Sequence, residues 1–285
     1  MHIAFLILAH DKPEQLGALI RALPADAPVF VHFDAWAKPQ HWERAKLIIA
    51  QLPNVQFVPR HGCRWGSFGI VAATIELVAA LVGSRADFDY AALLSGADYP
   101  ILSNDSIAAY LAAKPGTEFI ESFRVDRPNR WSNGTEKYAA TMRYNYYHVW
   151  WRSRNARLWR RSRGPAGLEI YGGSQWWVLS KHALSHIHHF LSSNPNFIEF
   201  YRHSLIPDES FFQTIISNSS FAGRIYGSDL TYADWSRKTP PYPAILKTGD
   251  LPALAASGKL FARKFDLSLT PTIFAAIDSD LRYCG

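Results

Sequence analysis

Short apolar runs alternate with amphipathic segments along the first part of the chain, and this alternation constrains the fold more than any other feature of the sequence. The run Ile3–Ala9 is continuously apolar, which is typical of a strand buried on both faces. Further strands are predicted over residues 29–33, 55–58 and 90–94, and helices over residues 13–23, 39–49 and 67–82. Ser67 is predicted to cap the third of these helices. The order βαβαβαβ predicts an α/β fold with a mostly parallel central sheet covered by helices.

In open sheets of this kind, ligands bind outside the carboxyl ends of the parallel strands. The residues that follow the predicted strands are His10 and Asp11, Asp34, Cys63 to Trp65, and Gly96 to Tyr99. Three acids, Asp11, Asp34 and Asp98, therefore meet at one edge, and a carboxylate there can accept hydrogen bonds from base N–H groups and ribose hydroxyls. The sequence has no G-x-G-x-x-G after the first strand and no G-x-x-x-x-G-K-[ST]. A nucleotide site without a glycine cradle is the prediction.

The second part of the chain is less regular. Residues 129–167 predict a long insert rich in Arg, Trp and Tyr, and long loops inside compact domains are either functional or disordered. A strand is predicted over residues 172–179, followed by a helix that Ser180 caps and that carries four histidines. His182 and His186 have i,i+4 spacing but lack the glutamate of H-E-x-x-H, so a metal site is not predicted there.

The stretch around Pro207 predicts a helix over residues 208–217 that starts at a proline and has acids in its first turn. An acid beside the positive end of a helix stays charged and fixed in direction. Glu209 is a general base if it faces a cleft, and only a helix-capping residue if it faces water. Further short ordered segments are predicted over residues 230–235 and 260–266.

The cysteine count and the hydropathy pattern favour a cytoplasmic protein. Two cysteines, Cys63 and Cys284, are too few for a disulfide framework. The first residues lack the basic start and cleavage site of a signal peptide, and no apolar run reaches the roughly 18 residues of a membrane span. Ten tryptophans and thirteen tyrosines suit flat, partly apolar ligands such as sugar rings or bases.

The chain has a net charge of +6, and six of its arginines are concentrated in one segment directly after Trp150 and Trp151. These arginines are Arg152, Arg154, Arg157, Arg160, Arg161 and Arg163. This segment is either a peripheral contact with anionic lipid, at the inner face of a membrane, or a solvated basic loop. No RNA-recognition signature accompanies the charge, so nucleic acid is not predicted as a partner.

Seven short motifs occur one after another between about residue 3 and residue 266. They are Val31-His32-Phe33-Asp34, Arg64-Trp65-Gly66-Ser67, Leu94-Ser95-Gly96-Ala97-Asp98-Tyr99-Pro100-Ile101, Gly173-Ser174-Gln175-Trp176-Trp177, Pro207-Asp208-Glu209-Ser210-Phe211-Phe212, Tyr232-Ala233-Asp234-Trp235 and Phe261-Ala262-Arg263-Lys264-Phe265-Asp266. Together they resemble the core-2/I-branching β-1,6-N-acetylglucosaminyltransferase and peptide O-xylosyltransferase family, glycosyltransferase family 14. The stretches around Glu209 and Lys264 are more similar to the xylosyltransferase branch.

The resemblance implies one GT-A catalytic domain over residues 1–285, with a nucleotide-binding half over about 1–120 and an acceptor-binding and catalytic half over about 121–285. It implies an inverting transferase that uses a UDP-sugar and needs no metal ion or other cofactor. The sequence agrees, because the place after the fourth strand has only Asp98 where a manganese-dependent enzyme would have Asp-x-Asp. Two Asp-x-Asp strings, at residues 87–89 and 278–280, lie before that strand and in the C-terminal tail.

The resemblance also assigns roles to charged residues. Glu209 matches the catalytic base, with Asp208 as a helper or a cap, and Lys264 matches the phosphate-binding lysine. Pro241 stands where the N-acetylglucosaminyltransferase branch has its second cation. Arg263, Arg237 or Lys247 must then fill that role, and we favour Arg263 because a guanidinium offers a planar fork to two phosphate oxygens.

Donor and acceptor contacts are predicted for the remaining motif residues. Asp34 resembles the uridine-binding residue, with Arg64 and Trp65 as base or ribose contacts or, alternatively, as a surface arginine and a packed indole; His10 lies at the same predicted edge. Asp98 either contacts hydroxyls of the donor sugar or caps the turn before Pro100. The acceptor candidates are Glu121, Arg143, Ser174, Gln175, Trp176 and Trp235. Trp176 and Trp177 point to opposite sides of a strand, so at most one can face the site.

The sequence thus favours a bacterial, metal-independent, inverting glycosyltransferase that acts on a carbohydrate or a lipid-linked glycan in the synthesis of a surface polysaccharide or glycolipid. N-acetylglucosamine is the favoured donor sugar, with xylose and glucuronate as alternatives. A second hypothesis is a noncatalytic carbohydrate- or nucleotide-binding protein on the same fold. A third is a polyanion-binding protein, for which steep salt dependence and no affinity for UDP are expected.

Overall fold

The computed structural model describes residues 1–132, 139–152, 154–161, 164–237 and 240–283. The strands are β1 (Ile3–Ala9), β2 (Val29–Phe33), β3 (Val55–Phe57), β4 (Tyr90–Ser95), β5 (Asp98–Pro100), β6 (Phe119–Ile120), β7 (Phe123–Arg124), β8 (Tyr146–Trp151), β9 (Arg154–Arg160), β10 (Tyr171–Gly172), β11 (Trp177–Ser180), β12 (Thr231–Ala233) and β13 (Phe261–Arg263). The helices are α1 (Pro13–Ala22), α2 (Pro39–Ile49), α3 (Gly69–Gly83), α4 (Asn104–Ala112), α5 (Ala140–Tyr144), α6 (Lys181–Ser193), α7 (Pro195–Arg202), α8 (Phe211–Ser217), α9 (Leu251–Ala256) and α10 (Ile273–Ile277).

The central sheet of the described chain has the order β3-β2-β1-β4-β11-β6. Its first four strands are parallel, and β11 and β6 join antiparallel at one side. The predicted α/β architecture with a mostly parallel sheet is therefore confirmed. The predicted elements over the first 95 residues agree with the structure to within two residues at each end.

Both faces of the sheet are buried, which explains why β1 has no polar residue. Phe5 and Ile7 pack into a core with α1, α2 and α10, whereas Ala4 and Leu6 face a second core with α3, α6 and α8. Alternate side chains of a strand point to opposite faces, so a strand between two helical layers must be apolar throughout.

The start of α3 differs from the prediction. Ser67 is not its N-cap, because the helix begins at Gly69 and Phe68 occupies the cap position. The Ser67 hydroxyl donates instead to the carbonyl of Arg64 at 2.8 Å and closes the preceding turn. By contrast, Ser180 caps α6 as predicted and accepts a hydrogen bond from the Ala183 amide.

Residues 129–167 are not a structureless insert, and the prediction of a long loop is wrong for their described part. They form α5 and the antiparallel hairpin β8–β9. Period-2 alternation is hidden in this hairpin because aromatic and arginine side chains lie on both of its faces. Arg163, the last arginine of the predicted basic segment, and Cys284 lie outside the described residues.

The acidic segment is also organised differently from the prediction. Residues Pro207–Glu209 form a separate 3-10 turn, and α8 begins only at Phe211. The break occurs because Ser210 has φ −146°, outside the helical region, and its hydroxyl donates to the Tyr171 carbonyl at 2.6 Å. The strand predicted over residues 172–179 is likewise interrupted, with β10 before the break and β11 after it.

A small sheet brings the C-terminal part of the chain to the carboxyl ends of the parallel strands. In it β12 pairs parallel with β13, and β13 pairs antiparallel with β5. The buried Gln15 amide holds the next segment, because it donates to the carbonyls of Gly96 and Phe265 and accepts from the Leu267 amide. In the described chain, no helix is long and apolar enough to cross a membrane.

Candidate active site

The edge predicted from the sheet order exists. The amide of Asp34 donates to the Ala9 carbonyl at 2.8 Å, and the amide of Gly96 donates to the Leu8 carbonyl at 2.9 Å. The segments that follow β2 and β4 therefore lie on either side of the end of β1. His10 is exposed at this end, with its Nε2 3.6 Å from Asp11 Oδ1.

Asp34 organises the side of the edge next to β3. Its Oδ1 accepts the amides of Trp36 at 2.8 Å and Cys63 at 3.1 Å. The Trp36 ring lies over Gly62, where a Cβ would come within 2.3 Å of the indole, and the ring is 63% exposed. Arg64 lies near this ring, with its Cζ 5.1 Å from the ring centroid. Trp65 points to solvent, 64% exposed.

The loop after β3 joins this side to the acidic turn. The carbonyl of Gly66 accepts the Ile206 amide at 2.9 Å, directly before Pro207. Burial, followed by the charges of Asp34 and Asp208, raises the pKa of the Cys63 thiol to about 12. Cys63 donates its amide to Asp34 and Gly66 accepts the Ile206 amide, so this one loop contacts both Asp34 and the segment that enters the acidic turn.

Asp98 is fully buried and both of its oxygens are used inside the protein. They accept hydrogen bonds from the amide and hydroxyl of Ser95 and from Nε of Arg263 at 3.1 Å. Burial raises the pKa of this carboxyl, and the positive charge of Arg263 opposes that rise. Asp98 thus forms the turn that begins at Ser95, and its predicted contact with hydroxyls of the donor sugar stays a prediction.

Arg263 and Lys264 form the cationic side of the site. The Arg263 guanidinium packs 4.5 Å from the centroid of the Trp176 ring and is only 16% exposed. The Phe265 amide donates to the Ala97 carbonyl at 2.9 Å, which fixes the backbone after Lys264 at the end of β4. Lys264 therefore lies at the carboxyl end of β4, and its role in phosphate binding stays a prediction.

The Lys264 ammonium is electrostatically suited to an anion. It is partly buried and makes no hydrogen bond or ion pair with any residue that the structure describes. Burial lowers its pKa, and the like charges of Arg263 and Lys12 lower it further. Lys12 itself is paired with Asp266 at 2.6 Å. A bound anion would relieve the repulsion among these cations.

Glu209 is fixed by a buried arginine. Nη1 of Arg143 donates to Oε2 of Glu209 at 2.6 Å, and the side chains are 8% and 29% exposed. The Arg143 guanidinium stacks on Trp131, 4.1 Å from the ring centroid. Oε1 of Glu209 accepts no hydrogen bond from the residues in the described ranges. One carboxylate oxygen is thus held and the other is left for a ligand.

Asp208 faces inward beside Glu209. It is 8% exposed, and its Oδ1 has no hydrogen-bond partner within the described part of the chain. Burial, and then the charge of Glu209, raises the pKa of Asp208 to about 7. The adjacent acids therefore differ in environment, which suits them to different tasks.

A short segment between β10 and β11 connects the carboxylate side to the cationic side. The Gly173 amide donates to the Glu209 carbonyl at 2.9 Å, and a Cβ at Gly173 would lie 1.9 Å from the Glu121 carbonyl oxygen. The Ser174 carbonyl accepts Nε2 of Gln213 at 2.6 Å, and Gln175 is half-buried between Ser174 and the Trp176 that packs on Arg263.

The remaining predicted residues are paired with other side chains, exposed to solvent or packed in the core. Glu121 is engaged by Arg130, with contacts of 2.8 and 2.9 Å. Trp235 follows β12 and is 65% exposed. Arg237 is committed to Asp234 and Asp250. Lys247 is exposed, and its neighbour Leu246 donates its amide to the Lys264 carbonyl at 2.9 Å, so the choice of Arg263 as the second cation stays a prediction. Trp177 packs on Phe212 in the core.

Sequence reasoning missed three contributors to this site. Trp36 and Lys12 each follow a parallel strand closely, so the same rule of strand ends could have identified both. Trp131, the support for Arg143, gave no signal, because its partner is distant in the fold's less regular half. In the described ranges, no group of three or more His, Cys, Asp and Glu residues is arranged to hold a metal ion.

Sequence comparison identifies the family. A family model described as "Branch: Core-2/I-Branching enzyme" matches residues 3–253. The chain therefore belongs to the Core-2/I-branching enzyme family, which confirms the resemblance found in the motifs.

The curated relatives include xylosyltransferases. Xylosyltransferase oxt of Drosophila melanogaster is 24% identical over 304 aligned positions, covering 98% of this chain and 33% of that protein. Human xylosyltransferase 1 is 25% identical over 248 positions, covering 84% and 24%. Xylosyltransferase 2 of Canis lupus familiaris is 26% identical over 247 positions, covering 84% and 27%. The chain spans a third or less of the length of these relatives.

Two solved structures are similar to the chain over most of its length. Mouse xyloside xylosyltransferase 1, in its apo form, has a TM-score of 0.39 and 12% identity and covers 91% of this chain and 97% of that one. Galactosyltransferase LgtC, in complex with donor and acceptor sugar analogues, has a TM-score of 0.43 and 10% identity, with coverage of 97% and 96%.

Proposed function

We propose that this chain is an inverting, metal-independent glycosyltransferase that moves a sugar from a UDP-sugar to a carbohydrate or lipid-linked glycan and makes a β-linkage. In this proposal residues 1–285 form one GT-A catalytic domain that works in the cytoplasm. The proposal depends most on the Glu209 carboxylate, which Arg143 holds through one oxygen. The Glu209 backbone is bonded to Gly173, and the segment that begins there reaches Trp176, which packs against Arg263 next to Lys264.

The proposed reaction is a single displacement. The oxygen of an acceptor hydroxyl attacks the anomeric carbon, the bond from that carbon to the β-phosphate oxygen breaks, and the hydroxyl proton passes to Oε1 of Glu209. A single carboxylate suffices for inversion, because the attack and the departure occur on opposite faces of the sugar. Arg143 prevents rotation of Glu209, which keeps the free oxygen in one direction.

The negative charge on the departing UDP needs a positive partner. Lys264 and Arg263 supply it in this proposal, in place of the divalent ion that other transferases use. The half-buried, unpaired ammonium of Lys264 supports this assignment, as does its position beside Lys12 within the described chain. Arg263 remains paired with Asp98, so it contributes a fixed positive field and Lys264 the direct contact.

Donor binding is proposed for the edge beside Asp34. The exposed indoles of Trp36 and Trp65 and the guanidinium of Arg64 offer flat surfaces for a base, and Asp34 keeps Oδ2 for N–H or hydroxyl groups. N-acetylglucosamine is the first donor sugar to test. Xylose is the second, because the relatives that the chain matches are xylosyltransferases, and glucuronate is the third.

The test compares wild type with Glu209→Gln in UDP release and in transfer, with EDTA present throughout. Gln keeps an oxygen for Arg143 but cannot take the proton, so turnover should fall about 10³-fold with UDP affinity unchanged. Lys264→Met should weaken UDP binding instead. UDP-sugar binding with no turnover in wild type would favour a noncatalytic binding protein, equal turnover in wild type and Glu209→Gln would refute Glu209 as the base, and loss of turnover in EDTA would disprove metal independence.

A further inference from the structure

The hairpin β8–β9 carries a concentrated and uncompensated positive charge. No acidic residue occurs between Ala139 and Leu168, a stretch with seven arginines. In the described part of it, Arg152, Arg154, Arg157 and Arg160 are exposed. A patch of this sign and density attracts anionic surfaces.

The hairpin is a fixed platform. His148 bonds to Oδ1 of Asn155 and to the Met142 carbonyl, both at 2.8 Å, and so joins its two strands to α5. Arg161, at its end, donates to the Phe200 carbonyl at 2.9 Å. Tyr147 stacks on His203 of the neighbouring segment. The hairpin therefore presents its outer surface in a defined direction.

The outer surface of the hairpin, by which we mean the exposed side chains of Trp151, Arg152, Arg154, Leu158 and Trp159, is apolar as well as basic. Trp151 is 76% exposed, Trp159 62% and Leu158 40%. Trp151 stands opposite Arg154 in the register, and the Trp159 ring stacks on Tyr147 with centroids 4.8 Å apart. The hairpin thus exposes large apolar side chains both at its turn and near its base, and exposed apolar side chains of this size mark an interaction surface.

We propose that the outer surface of the β8–β9 hairpin docks this protein on an anionic phospholipid bilayer. Tryptophan and arginine together are suited to the lipid headgroup layer, where indoles enter the interface and guanidinium groups meet phosphates. A soluble polyanion would use the arginines but leave the exposed indoles and Leu158 without a function.

The hairpin also connects this surface to the candidate active site. Trp150, on the opposite face from Trp151, lies with its ring 5.7 Å from Cζ of Arg64 and packs near Gly66. Docking would hold the site close to the bilayer. Only the idea that a lipid-linked acceptor is thereby presented rests on the proposed function, whereas vesicle binding can be measured without any transfer reaction.

The experiment is co-sedimentation of the full chain with vesicles of phosphatidylcholine alone or mixed with phosphatidylglycerol. Wild type should bind the mixed vesicles and not the neutral ones. Arg152→Gln with Arg154→Gln should lower partitioning about 25-fold, at about fivefold for each arginine. Trp151→Ser with Trp159→Ser should remove the binding that persists in high salt. Arg21→Gln with Leu47→Ser, exposed positions on α1 and α2, is the matched control and should bind like wild type.

The proposal would be overturned by unchanged binding in the hairpin variants, by equal binding to neutral vesicles, or by heparin binding that competes fully and is unaffected by the tryptophan changes. If the tryptophan variants bind vesicles normally but lose transfer to a soluble acceptor, the patch is an acceptor surface and the proposal fails. UDP binding, measured in the same variants, should stay at the wild-type value. If wild type itself does not bind UDP, that result would count against the proposed function and not against docking.

Discussion

Replacing Asp208 by Asn should stabilise the protein at alkaline pH and leave its stability nearly unchanged at acidic pH. Asp208 is 8% exposed, and its Oδ1 has no hydrogen-bond partner among the described residues. Burial and the neighbouring charge of Glu209 raise its pKa from the ordinary 3.8 to about 7. In the folded protein this carboxyl is therefore neutral up to about neutral pH, whereas in the unfolded chain it ionises near 3.8.

The sign of the effect follows from proton linkage. The folded state keeps the Asp208 proton and the unfolded state releases it, so the associated stability is fully present below pH 3.8 and is lost as the pH rises through about 7. A difference of roughly three pKa units at about 1.4 kcal/mol each sets the loss near 4 kcal/mol. Asn resembles the neutral carboxyl in shape and does not ionise, so the variant escapes this loss.

Relaxation and water entry around the ionised carboxylate reduce the effect, and we expect a gain of about 2–4 kcal/mol in the free energy of unfolding at about pH 8. This corresponds to a rise of roughly 3–7 °C in Tm for a chain of this length. Urea unfolding followed by tryptophan fluorescence, at about pH 4.5, 6 and 8, measures the difference between variant and wild type. Other titrating groups are common to both proteins and cancel.

Glu209→Gln is the control for the second cause of the raised pKa. In this variant Asp208 should ionise at lower pH because the Glu209 charge is gone. The free energy of unfolding should then stop falling at a lower pH, and its total decrease should be smaller than in wild type. An Asp208→Asn variant that is shifted equally at all three pH values would refute the assignment of a neutral buried carboxyl. So would a variant that loses stability only at alkaline pH.

Three further predictions concern the framework of the site. Gly173→Ala should destabilise the chain by about 2–4 kcal/mol in urea unfolding, because its Cβ would lie 1.9 Å from a backbone oxygen, whereas Gly223→Ala, with nothing within 4 Å, should change stability by less than about 1 kcal/mol. Gln15→Leu should cost about 2–4 kcal/mol by removing bonds to three buried backbone groups, and calorimetry should show weaker UDP binding because Lys264 loses its support. Arg143→Lys should lower kcat about tenfold with unchanged UDP affinity, since an ammonium cannot reproduce the stacked, planar contact; equal loss of both would contradict a role confined to orienting the carboxylate.

The parallel half of the fold was predictable because its signals are local. A strand between two helical layers must be largely apolar, and the sequence shows this at every position of β1, at all but His32 in β2 and at all but the terminal Ser95 in β4. The ends of those strands then identify Asp34 and the Gly96 turn without reference to other proteins. Lys264 was found only through its motif, since it follows a strand of only three residues, β13, and the segment after it is held by the Gln15 amide.

The hairpin β8–β9 and the acidic turn could not be predicted from local pattern. The hairpin has large side chains on both faces because one face packs on the protein and the other is exposed, so neither alternation nor helical spacing is visible. The turn Pro207–Glu209 is separated from α8 by a bond between Ser210 and Tyr171, residues far apart in sequence. Contacts of this kind override the helical preference that proline and acids indicate.

The charges of the site explain why sequence motifs found its residues but not their division of work. Arg263 has Asp98 as a buried partner and Lys12 has Asp266, so each of these cations is largely neutralised by the fold. Lys264 lies between them with no paired carboxylate in the described chain, and burial lowers its pKa. An anion that enters here meets the Lys264 ammonium, whose charge no paired carboxylate of the described chain compensates. The ion pairs Arg263–Asp98 and Lys12–Asp266 can stay intact when it binds. The motif marks Arg263 and Lys264 alike, whereas their partners in the fold, which come from β5 and the segment after β13, are the reason why we assign direct phosphate contact to Lys264 in the proposed function.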